Sequence, residues 1–183
     1  VIAQSVLQDD GTYERVYPSG TLAAHVVGYA SEAYGTAGIE ASYNDTLKGQ
    51  RNYASWVDVV NAATDAGTPG NDVKLTINST IQQAAEQALD GFNGACVVID
   101  PETGAVLALA SSPSYNASDI ESILSSGSDS SAPYNRATQA LYSPGSTFKM
   151  VSLTTALENN VATESSVFSS PGEMTIGNGK VNN

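Results

Sequence analysis

The sequence has 183 residues, of which 41% are hydrophobic, so it is long enough and apolar enough to build a folded core. The 19 acidic residues outnumber the 7 basic ones, and the resulting charge of −12 would repel nucleic-acid phosphates and anionic membrane surfaces. One cysteine, Cys96, and one histidine, His25, cannot together supply the three or four ligands of a typical zinc or iron site.

The sequence contains no run of about 20 apolar residues that would cross a bilayer. Its first residues, Val1–Gln4, lack the charged head and apolar stretch of a signal peptide. The sequence starts without a methionine and stops in the middle of a pattern at Val181–Asn183. We therefore expect both ends to lie inside a longer protein.

The first third of the sequence predicts short elements and a linker. The apolar run Val26–Tyr29 predicts a short strand, and Gly35–Glu40 predicts a turn that leads into a short helix ending near Leu47. The stretch Asn61–Asn71 is small, polar and rich in turn-forming residues, which is typical of a linker. We place a domain boundary between residues 71 and 72.

A helix and a β-hairpin are predicted next. Ser79–Gln82 fits the capping-box pattern, and apolar residues then recur at helical spacing until Gly91. The apolar runs Cys96–Ile99 and Ala105–Ala110 flank a turn at Asp100–Gly104, which predicts two antiparallel strands. Because neither run alternates with polar residues, we expect both strands to be covered on both faces, by helices on either side of a sheet.

Two further helices are predicted in the last third. Ser118–Glu121 fits a second capping box and starts a short helix, which is followed by a solvated loop at Ser125–Ser131. A longer helix is predicted from near Ser143 to about Asn159, because Pro144 is favoured in a first turn and apolar stripes follow it. The stripes predict that this helix is buried.

Ser146 and Lys149 lie at the start of this predicted helix. Residues three apart share a helix face, with Cβ atoms about 5–6 Å apart. A lysine that is partly removed from water can accept the proton of a serine hydroxyl and so activate it as a nucleophile. Free backbone amides at a helix start favour the negative charge that develops during the attack. The pair is therefore a candidate for acyl transfer without histidine.

The spacing of the pair is weak evidence when taken alone. A chain of this composition contains about half a match to it by chance. The alternative is that Ser146 helps to cap the helix while Lys149 is a solvated surface cation, since serine is common at helix starts.

Longer segments resemble the penicillin-binding proteins, the serine acyltransferases that cross-link peptidoglycan. Tyr142–Lys149, preceded by Asn135–Ala137, resembles their nucleophile segment, and three upstream segments are similar to the opening of their transpeptidase domain: Asp72–Asn78, Ile81–Gln82 and Val98–Ala108. Four earlier segments are similar to the non-catalytic pedestal of the class B, or monofunctional, type: Arg15–Gly20, His25–Tyr29, Gly38–Glu40 and Leu47–Gly49.

The resemblance implies an α+β fold in two parts: a dimerisation-type pedestal and linker at residues 1–71, and the first part of a transpeptidase domain, an incomplete antiparallel sheet flanked by helices, at residues 72–183. It implies that Ser146, with Lys149 as general base, attacks the D-Ala-D-Ala end of a peptidoglycan stem peptide and that β-lactam antibiotics acylate the same serine. No cofactor or metal is implied. An upstream transmembrane helix would anchor the protein at the extracytoplasmic face of the bacterial cell membrane, where cell-division or elongation proteins are candidate partners.

The sequence departs from the family pattern after Lys149. The second and third motifs of the family, S-x-N and K-T-G, do not occur there, and Ser114–Asn116, which spells S-x-N, precedes the nucleophile and is read as a loop without a catalytic part. Loss of one oxyanion donor alone typically lowers the rate by about 10² to 10³. We therefore predict that this chain is inactive. The resemblance also implies that the predicted hairpin normally pairs with later strands, so its exposed edge would favour self-association by strand pairing or domain swapping.

Other assignments stay open at this point. A β-lactam sensor or a β-lactamase-related serine hydrolase would share the serine–lysine spacing, and a non-catalytic module of the cell envelope would use the pedestal to bind partners. His25 is predicted to be structural, beside an apolar strand, and Cys96 to be a core residue. Glu40 and Arg51 are predicted either to form an ion pair or to lie on a solvated helix face.

Overall fold

The structure is a computed structural model that describes residues 1–49, 70–127 and 131–182. The chain divides into two compact units, Val1–Ala140 and Leu141–Asn183. None of the helices in the described ranges has the length and hydropathy needed to span a bilayer. Most of the predicted linker lies outside these ranges, and the boundary between residues 71 and 72 stays a prediction.

The first unit begins with two small antiparallel hairpins and three short helices. Strands β1 (Gln4–Leu7) and β2 (Tyr13–Val16) pair with Gln4 opposite Val16, and β3 (Ala30–Ser31) pairs with β4 (Gly35–Thr36). The helices are α1 (Ala24–Val27), α2 (Gly38–Ser42) and α3 (Asn44–Leu47). The short helix predicted up to Leu47 is confirmed, but it is divided at Tyr43. The turn predicted to begin at Gly35 is wrong there, because Gly35 and Thr36 form β4.

The strand predicted at Val26–Tyr29 is wrong, because Val26 and Val27 belong to α1. A run of four apolar residues fits a helical turn as well as a strand, and here tertiary packing decides. Ala24 and Val27 are buried in a core cluster with Tyr17 and Tyr115. Helix α1 ends at Gly28, whose N–H donates to the carbonyl oxygen of Ala24 at 2.8 Å.

Gly28 and Gly38 allow α1 and α2 to approach each other through their backbones. A Cβ atom on Gly28 would lie 1.9 Å from the carbonyl oxygen of Ala37, and one on Gly38 would lie 2.7 Å from that of Val26. Both glycines also have positive φ, of 80° and 60°. A side chain at either position would therefore force the two helices apart.

The second half of this unit contains a helix packed on a β-hairpin. Helix α4 (Ser79–Ala88) places Ala85 against Ala108 and Ala110 of the hairpin formed by β5 (Gly94–Ile99) and β6 (Val106–Ser112). Gly104 takes a positive φ of 73° in the connecting turn, and the register shifts between Val98 and Ile99. The predicted helix and hairpin are thus confirmed.

The prediction that both faces of both strands are covered is wrong for β5. Val97 and Ile99 are 44% and 54% exposed, whereas Cys96 and Val98 on the opposite face pack against the α4 cluster. An apolar run shows that both faces carry apolar side chains, but it does not show that a segment lies over each of them.

Asparagine, rather than the predicted serine, caps two helices. Asn78 Oδ1 accepts hydrogen bonds from the amides of Thr80 and Ile81 at the start of α4. Asn116 Oδ1 accepts from the amide of Ser118 and caps a 3₁₀ turn (Ala117–Asp119) that leads into α5 (Ile120–Ser126). The capping-box pattern located both helices but misplaced the cap, because asparagine and serine are equally good N-cap residues.

The first unit ends with α6 (Arg136–Gln139). In the second unit, a 3₁₀ turn (Gly145–Thr147) leads into α7 (Phe148–Glu158), and strands β7 (Glu173–Ile176) and β8 (Gly179–Asn182) form a hairpin. The helix predicted from Ser143 to Asn159 is confirmed. The expectation that it is buried is wrong: the α7 residues are exposed apart from the half-buried Ala156. Apolar stripes need a covering segment, and the hairpin and loops of this unit do not supply one.

Candidate active site at Ser146 and Lys149

Ser146 is the central residue of the 3₁₀ turn that precedes α7. Pro144 has φ −68° and ψ −23°, which starts the turn, and Gly145 has a positive φ of 54°. The Thr147 hydroxyl and amide both donate to the carbonyl oxygen of Pro144, at 2.5 and 3.2 Å. These bonds fix the backbone around Ser146.

Lys149 is the second residue of α7 and follows Ser146 by three positions. Side chains three apart in 3₁₀ geometry eclipse one another, so this spacing puts the two side chains on one side of the turn. Both residues are exposed. Among the described residues, no hydrogen bond joins Ser146 Oγ to Lys149 Nζ and no carboxylate forms an ion pair with Lys149.

The two residues therefore have the predicted sequence spacing and the predicted place at a helix start, but not the predicted contact. A lysine serves as a general base when burial or a nearby cation favours its neutral form. Lys149 is exposed in the described chain, so it lacks this burial. The catalytic roles of Ser146 and Lys149 stay a prediction.

The expectation that the amides at the helix start are free needs a correction. The Thr147 amide donates to Pro144, and the Phe148 amide donates to the carbonyl oxygen of Gly145. The chain enters α7 through a 3₁₀ turn, which pairs amides that an α-helical start would leave unpaired.

Ser114–Asn116, the S-x-N match upstream of the nucleophile, has structural contacts. Tyr115 is buried, and its hydroxyl donates to the carbonyl oxygen of Ala24 at 3.1 Å. Asn116 is the cap of the 3₁₀ turn that follows. These contacts agree with the prediction of a loop that has no catalytic part.

His25 is buried in α1, and not beside a strand as the sequence predicted. Its Nε2 lies 2.7 Å from the carbonyl oxygen of Ala132, and its ring meets the ring of Tyr115 edge-on at 5.1 Å between centroids. Burial lowers the pKa of His25 below its ordinary value. The contacts agree with a structural role.

Glu40 and Cys96 make contacts within the first unit. Glu40 is buried and pairs with Arg15, whose Nε lies 2.7 Å from Glu40 Oε1. Arg51, the predicted partner of Glu40, lies outside the described residues. Cys96 is half-buried and packs beside the α4 cluster. In the described ranges, no group of three or more His, Cys, Asp or Glu side chains is arranged to hold a metal ion.

The contacts that hold the segment preceding Ser146 along the chain were not predicted from the sequence. Asn135 Oδ1 accepts from the Ala137 amide and caps α6, while Asn135 Nδ2 donates to the carbonyl oxygen of His25 at 3.1 Å. The asparagine before a helical turn was a signal for the cap. No sequence signal identified His25 as its second partner, because 110 positions separate the two residues.

Two family models match the chain. A penicillin-binding protein A dimerisation domain matches residues 1–73, and a penicillin-binding protein transpeptidase domain matches residues 94–183. Peptidoglycan D,D-transpeptidase MrdA of Acinetobacter baumannii is 35% identical to the chain, with 86% of the chain and 28% of that protein covered. Peptidoglycan D,D-transpeptidase FtsI of Escherichia coli K12 is 33% identical, with 84% and 28% covered.

Solved structures agree with these matches. The D,D-transpeptidase domain of a peptidoglycan glycosyltransferase from Eggerthella lenta has a TM-score of 0.84 and 54% identity, with 100% of the chain and 40% of that structure covered. The imipenem acyl-enzyme complex of penicillin-binding protein A from M. tuberculosis has a TM-score of 0.83 and 29% identity, with 100% and 46% covered. The chain thus spans less than a third of the two sequence relatives and less than half of the two solved chains. With a dimerisation-type region followed by the opening of a transpeptidase domain, the chain belongs to the class B penicillin-binding proteins.

Proposed function

We propose that this chain is part of a peptidoglycan D,D-transpeptidase in which Ser146 is the nucleophile and Lys149 is the general base. The observation that carries the proposal is the Tyr142–Lys149 segment, which presents Ser146 in the turn before α7 inside the region matched by the transpeptidase model. The names of the sequence relatives support the reaction, and the imipenem and penicillin G acyl-enzyme complexes of the M. tuberculosis protein support a covalent acyl-enzyme intermediate.

The proposed reaction has two acyl transfers. Ser146 Oγ attacks the carbonyl carbon of the penultimate D-alanine while its proton passes to Lys149 Nζ. The peptide C–N bond breaks, the departing D-alanine amine takes up a proton, and an ester to Ser146 remains. The amine of a neighbouring stem peptide then attacks this ester, forms the cross-link and releases Ser146. A β-lactam acylates Ser146 by the same first step. Because its broken C–N bond lies in a ring, the departing amine stays attached to the acyl group.

We propose that the 183 residues alone do not form the acyl-enzyme. Lys149 is exposed, the turn amides of Thr147 and Phe148 are paired, and no S-x-N or K-T-G motif follows Lys149. A donor set for the oxyanion and a desolvated base are both needed for acylation at a useful rate.

We also propose that the chain divides into a pedestal region at residues 1–71 and the first part of the transpeptidase domain at residues 72–183.

Intact-mass measurement after exposure to penicillin tests the proposal. The 183-residue chain and a full-length protein that contains it are treated in parallel, together with full-length Ser146→Ala and Ser152→Ala variants. Ser152 is the matched control, since it is an exposed serine of α7 whose hydroxyl bonds to Phe148 within the helix. We expect one penicillin adduct on the full-length protein and on Ser152→Ala, and none on Ser146→Ala or on the short chain. An adduct on Ser146→Ala would contradict the assignment.

Two other functions would give different results. A β-lactam-hydrolysing relative would release the antibiotic quickly, so a deacylation assay would find a short-lived adduct, whereas the adduct of a transpeptidase would persist. A non-catalytic envelope module would keep its cellular role in Ser146→Ala. The matches to both the dimerisation and the transpeptidase models favour the transpeptidase.

The location and the protein partners belong to the same proposal. We propose that an upstream transmembrane helix holds the full-length protein outside the cytoplasmic membrane, where peptidoglycan stem peptides are found and where division or elongation proteins could bind it. Protease accessibility of the pedestal region in intact spheroplasts tests the location. Protection of the region until the cells are lysed would contradict it.

We also propose that the 183-residue chain self-associates through β5. Leu109 on β6 turns its backbone groups away from β5, because both bond to the side chain of Gln82. Val97 lies directly opposite Leu109, so its backbone groups point away from β6 as well. Such an edge pairs readily with another strand. Light scattering should detect oligomers that Val97→Lys reduces, and a strictly monomeric parent chain would contradict this proposal.

A further inference from the structure

A cavity lies between α4 and the loop that joins β2 to α1, inside the first compact unit. Its volume of about 350 Å³ is at the lower end of the range of small-molecule sites, which is about 300–1,000 Å³. A carboxamide and a carboxylate line it, from Gln83 and Glu86. Four hydroxyl groups also line it, those of Ser19, Thr21, Ser79 and Thr80. The cavity is thus small and mainly polar.

Most of these polar groups have no partner inside the described part of the chain. Within that part, no hydrogen bond involves the hydroxyls of Thr21, Ser79 and Thr80, the carboxamide of Gln83 or the Oε2 atom of Glu86. Hydroxyls and carboxamides both donate and accept hydrogen bonds, and a carboxylate oxygen accepts them. Donors and acceptors therefore converge on one cavity and are available to a ligand.

One wall of the cavity is fixed by Glu86. Its Oε1 atom accepts from the Ala23 amide at 2.8 Å and from Gln82 Nε2 at 2.7 Å. Ala23 directly follows the loop residues of the cavity and is buried with a positive φ of 56°. Such a backbone conformation persists only where the surroundings determine it. The loop and α4 are therefore held together around the cavity before any ligand binds.

The charges around the cavity do not suit an anion. The amides of Thr80 and Ile81 at the start of α4 already donate to Asn78 Oδ1, so they are not available to a phosphate or carboxylate. The Glu86 carboxylate and the net charge of −12 also repel an anion.

A cation would find little more to bind. Among the described lining residues Glu86 alone is charged, and its Oε1 atom already accepts two hydrogen bonds. The remaining groups are neutral hydroxyls and a carboxamide, which match a ligand that is itself neutral and rich in hydroxyl groups.

We propose that this cavity binds a neutral carbohydrate, an N-acetylated hexosamine unit of the glycan strand that carries the stem peptides. The choice of this carbohydrate rests on the proposed transpeptidase function. The sugar hydroxyls pair with the hydroxyls of the cavity and with Glu86 Oε2. The acetamido group pairs its amide with Gln83 and places its methyl group against the half-buried Leu22, which also lines the cavity. A strand held there keeps its stem peptides at the protein.

The test is a saturation-transfer NMR titration of the 183-residue chain, which gives dissociation constants for weak ligands. The probe is the β-1,4-linked tetramer of N-acetylglucosamine. The corresponding glucose tetramer shows whether the acetamido groups contribute, and n-butylamine shows whether the cavity binds a cation instead. Melting temperatures are measured for each variant.

The variants separate the cavity from the rest of α4. Gln83→Ala removes the carboxamide and Thr80→Val removes a hydroxyl, and both side chains are exposed, so the fold should be kept. Gln87→Ala is the matched control, because Gln87 is an exposed glutamine of the same helix that does not line the cavity. Glu86→Gln keeps an acceptor for the Ala23 amide but removes the charge.

We expect the parent chain to bind the N-acetylglucosamine tetramer more tightly than the glucose tetramer. Gln83→Ala and Thr80→Val should each raise the dissociation constant by about fivefold, the effect of one lost hydrogen bond. Gln87→Ala should leave it unchanged, and Glu86→Gln should change it by less than about threefold, since a sugar hydroxyl can also donate to a neutral acceptor.

Three results would overturn the inference. They are no saturation transfer to the N-acetylglucosamine tetramer, equal binding by the parent and by both cavity variants, and binding of n-butylamine that Glu86→Gln abolishes. Equal binding of the two tetramers would overturn the assignment to an N-acetylated sugar.

The titration is independent of the acylation reaction, so the two proposals can fail separately. If penicillin forms an adduct with the full-length protein but the tetramer does not bind, the transpeptidase proposal stands and the carbohydrate site is wrong. If the tetramer binds as expected but no adduct forms, the proposed function fails and the carbohydrate site stands.

Discussion

Glu86 Oε1 accepts a hydrogen bond from the backbone amide of Ala23 at 2.8 Å, across 63 positions of sequence. Ala23 is buried and takes the left-handed conformation, with φ 56°, which is strained for a residue with a Cβ atom. The same oxygen accepts from Gln82 Nε2 at 2.7 Å, and the Gln82 side chain bonds to both backbone groups of Leu109. One carboxylate thus connects α1, α4 and β6.

Glu86→Ala should destabilise the chain by about 1–3 kcal/mol, because it leaves the Ala23 amide and the Gln82 side chain without this acceptor. Urea unfolding followed by circular dichroism measures the change. Gln83→Ala is the control on the same helix, since Gln83 is exposed. Equal midpoints for the two variants would mean that the carboxylate does not hold these elements together.

Gly28→Ala should destabilise the pedestal region by more than about 3 kcal/mol, because the new Cβ would meet a backbone oxygen and neither helix can move away without breaking its packing. Gly11→Ala is the matched control: Gly11 also has positive φ, of 83°, but nothing lies within 4 Å of the position of its Cβ. We expect Gly11→Ala to cost only about 1 kcal/mol, from its backbone conformation alone. Comparable losses in both variants would contradict the close approach of α1 and α2.

Arg15→Met should destabilise the chain by about 2 kcal/mol, because the buried carboxylate of Glu40 loses its ionic partner. Glu40→Gln in the Arg15→Met background should recover part of that loss, since a neutral amide is cheaper to bury than an unpaired carboxylate. A double-mutant cycle on the unfolding free energies gives the coupling between the two residues. A coupling close to zero would show that the ion pair contributes nothing.

The stability of the chain should decrease as the pH falls below about 6.5, the ordinary pKa of histidine. Burial lowers the pKa of His25 in the folded chain. The unfolded chain therefore binds a proton in a range of pH where the folded chain does not, and protonation favours unfolding until the pH falls below the folded pKa. His25→Gln should flatten the difference in unfolding free energy between pH 7.5 and pH 5.5. An unchanged slope in this variant would assign the effect to other groups.

Local sequence patterns identified the elements whose signals lie close together in the chain. The α4 helix and the β5–β6 hairpin were predictable because helical spacing, the turn at Asp100–Gly104 and two apolar runs agree with one another. The strand predicted at Val26–Tyr29 failed because burial against Tyr115, far away in sequence, decides between a helix and a strand for so short a run.

The candidate site was predictable to a different extent. The spacing and flanking residues of Ser146 and Lys149 were sufficient to place them at the start of α7. The exposure of Lys149 could not be predicted, because it depends on which segments cover the helix. The pairing of the turn amides could not be predicted either. The hydrogen bonds of His25 and Asn135 were missed for a related reason: they join side chains to backbone groups, and every residue has the same backbone groups.

The most direct measurement of the central claim is proteolytic mapping of the penicillin adduct on the full-length protein by mass spectrometry. We predict that the penicilloyl group is found on Ser146, in the peptide that contains Tyr142–Lys149, and that Lys149→Ala abolishes it while leaving the fold intact. An adduct on any other residue, or an undiminished adduct in Lys149→Ala, would contradict the claim that this serine and this lysine form the acylating pair.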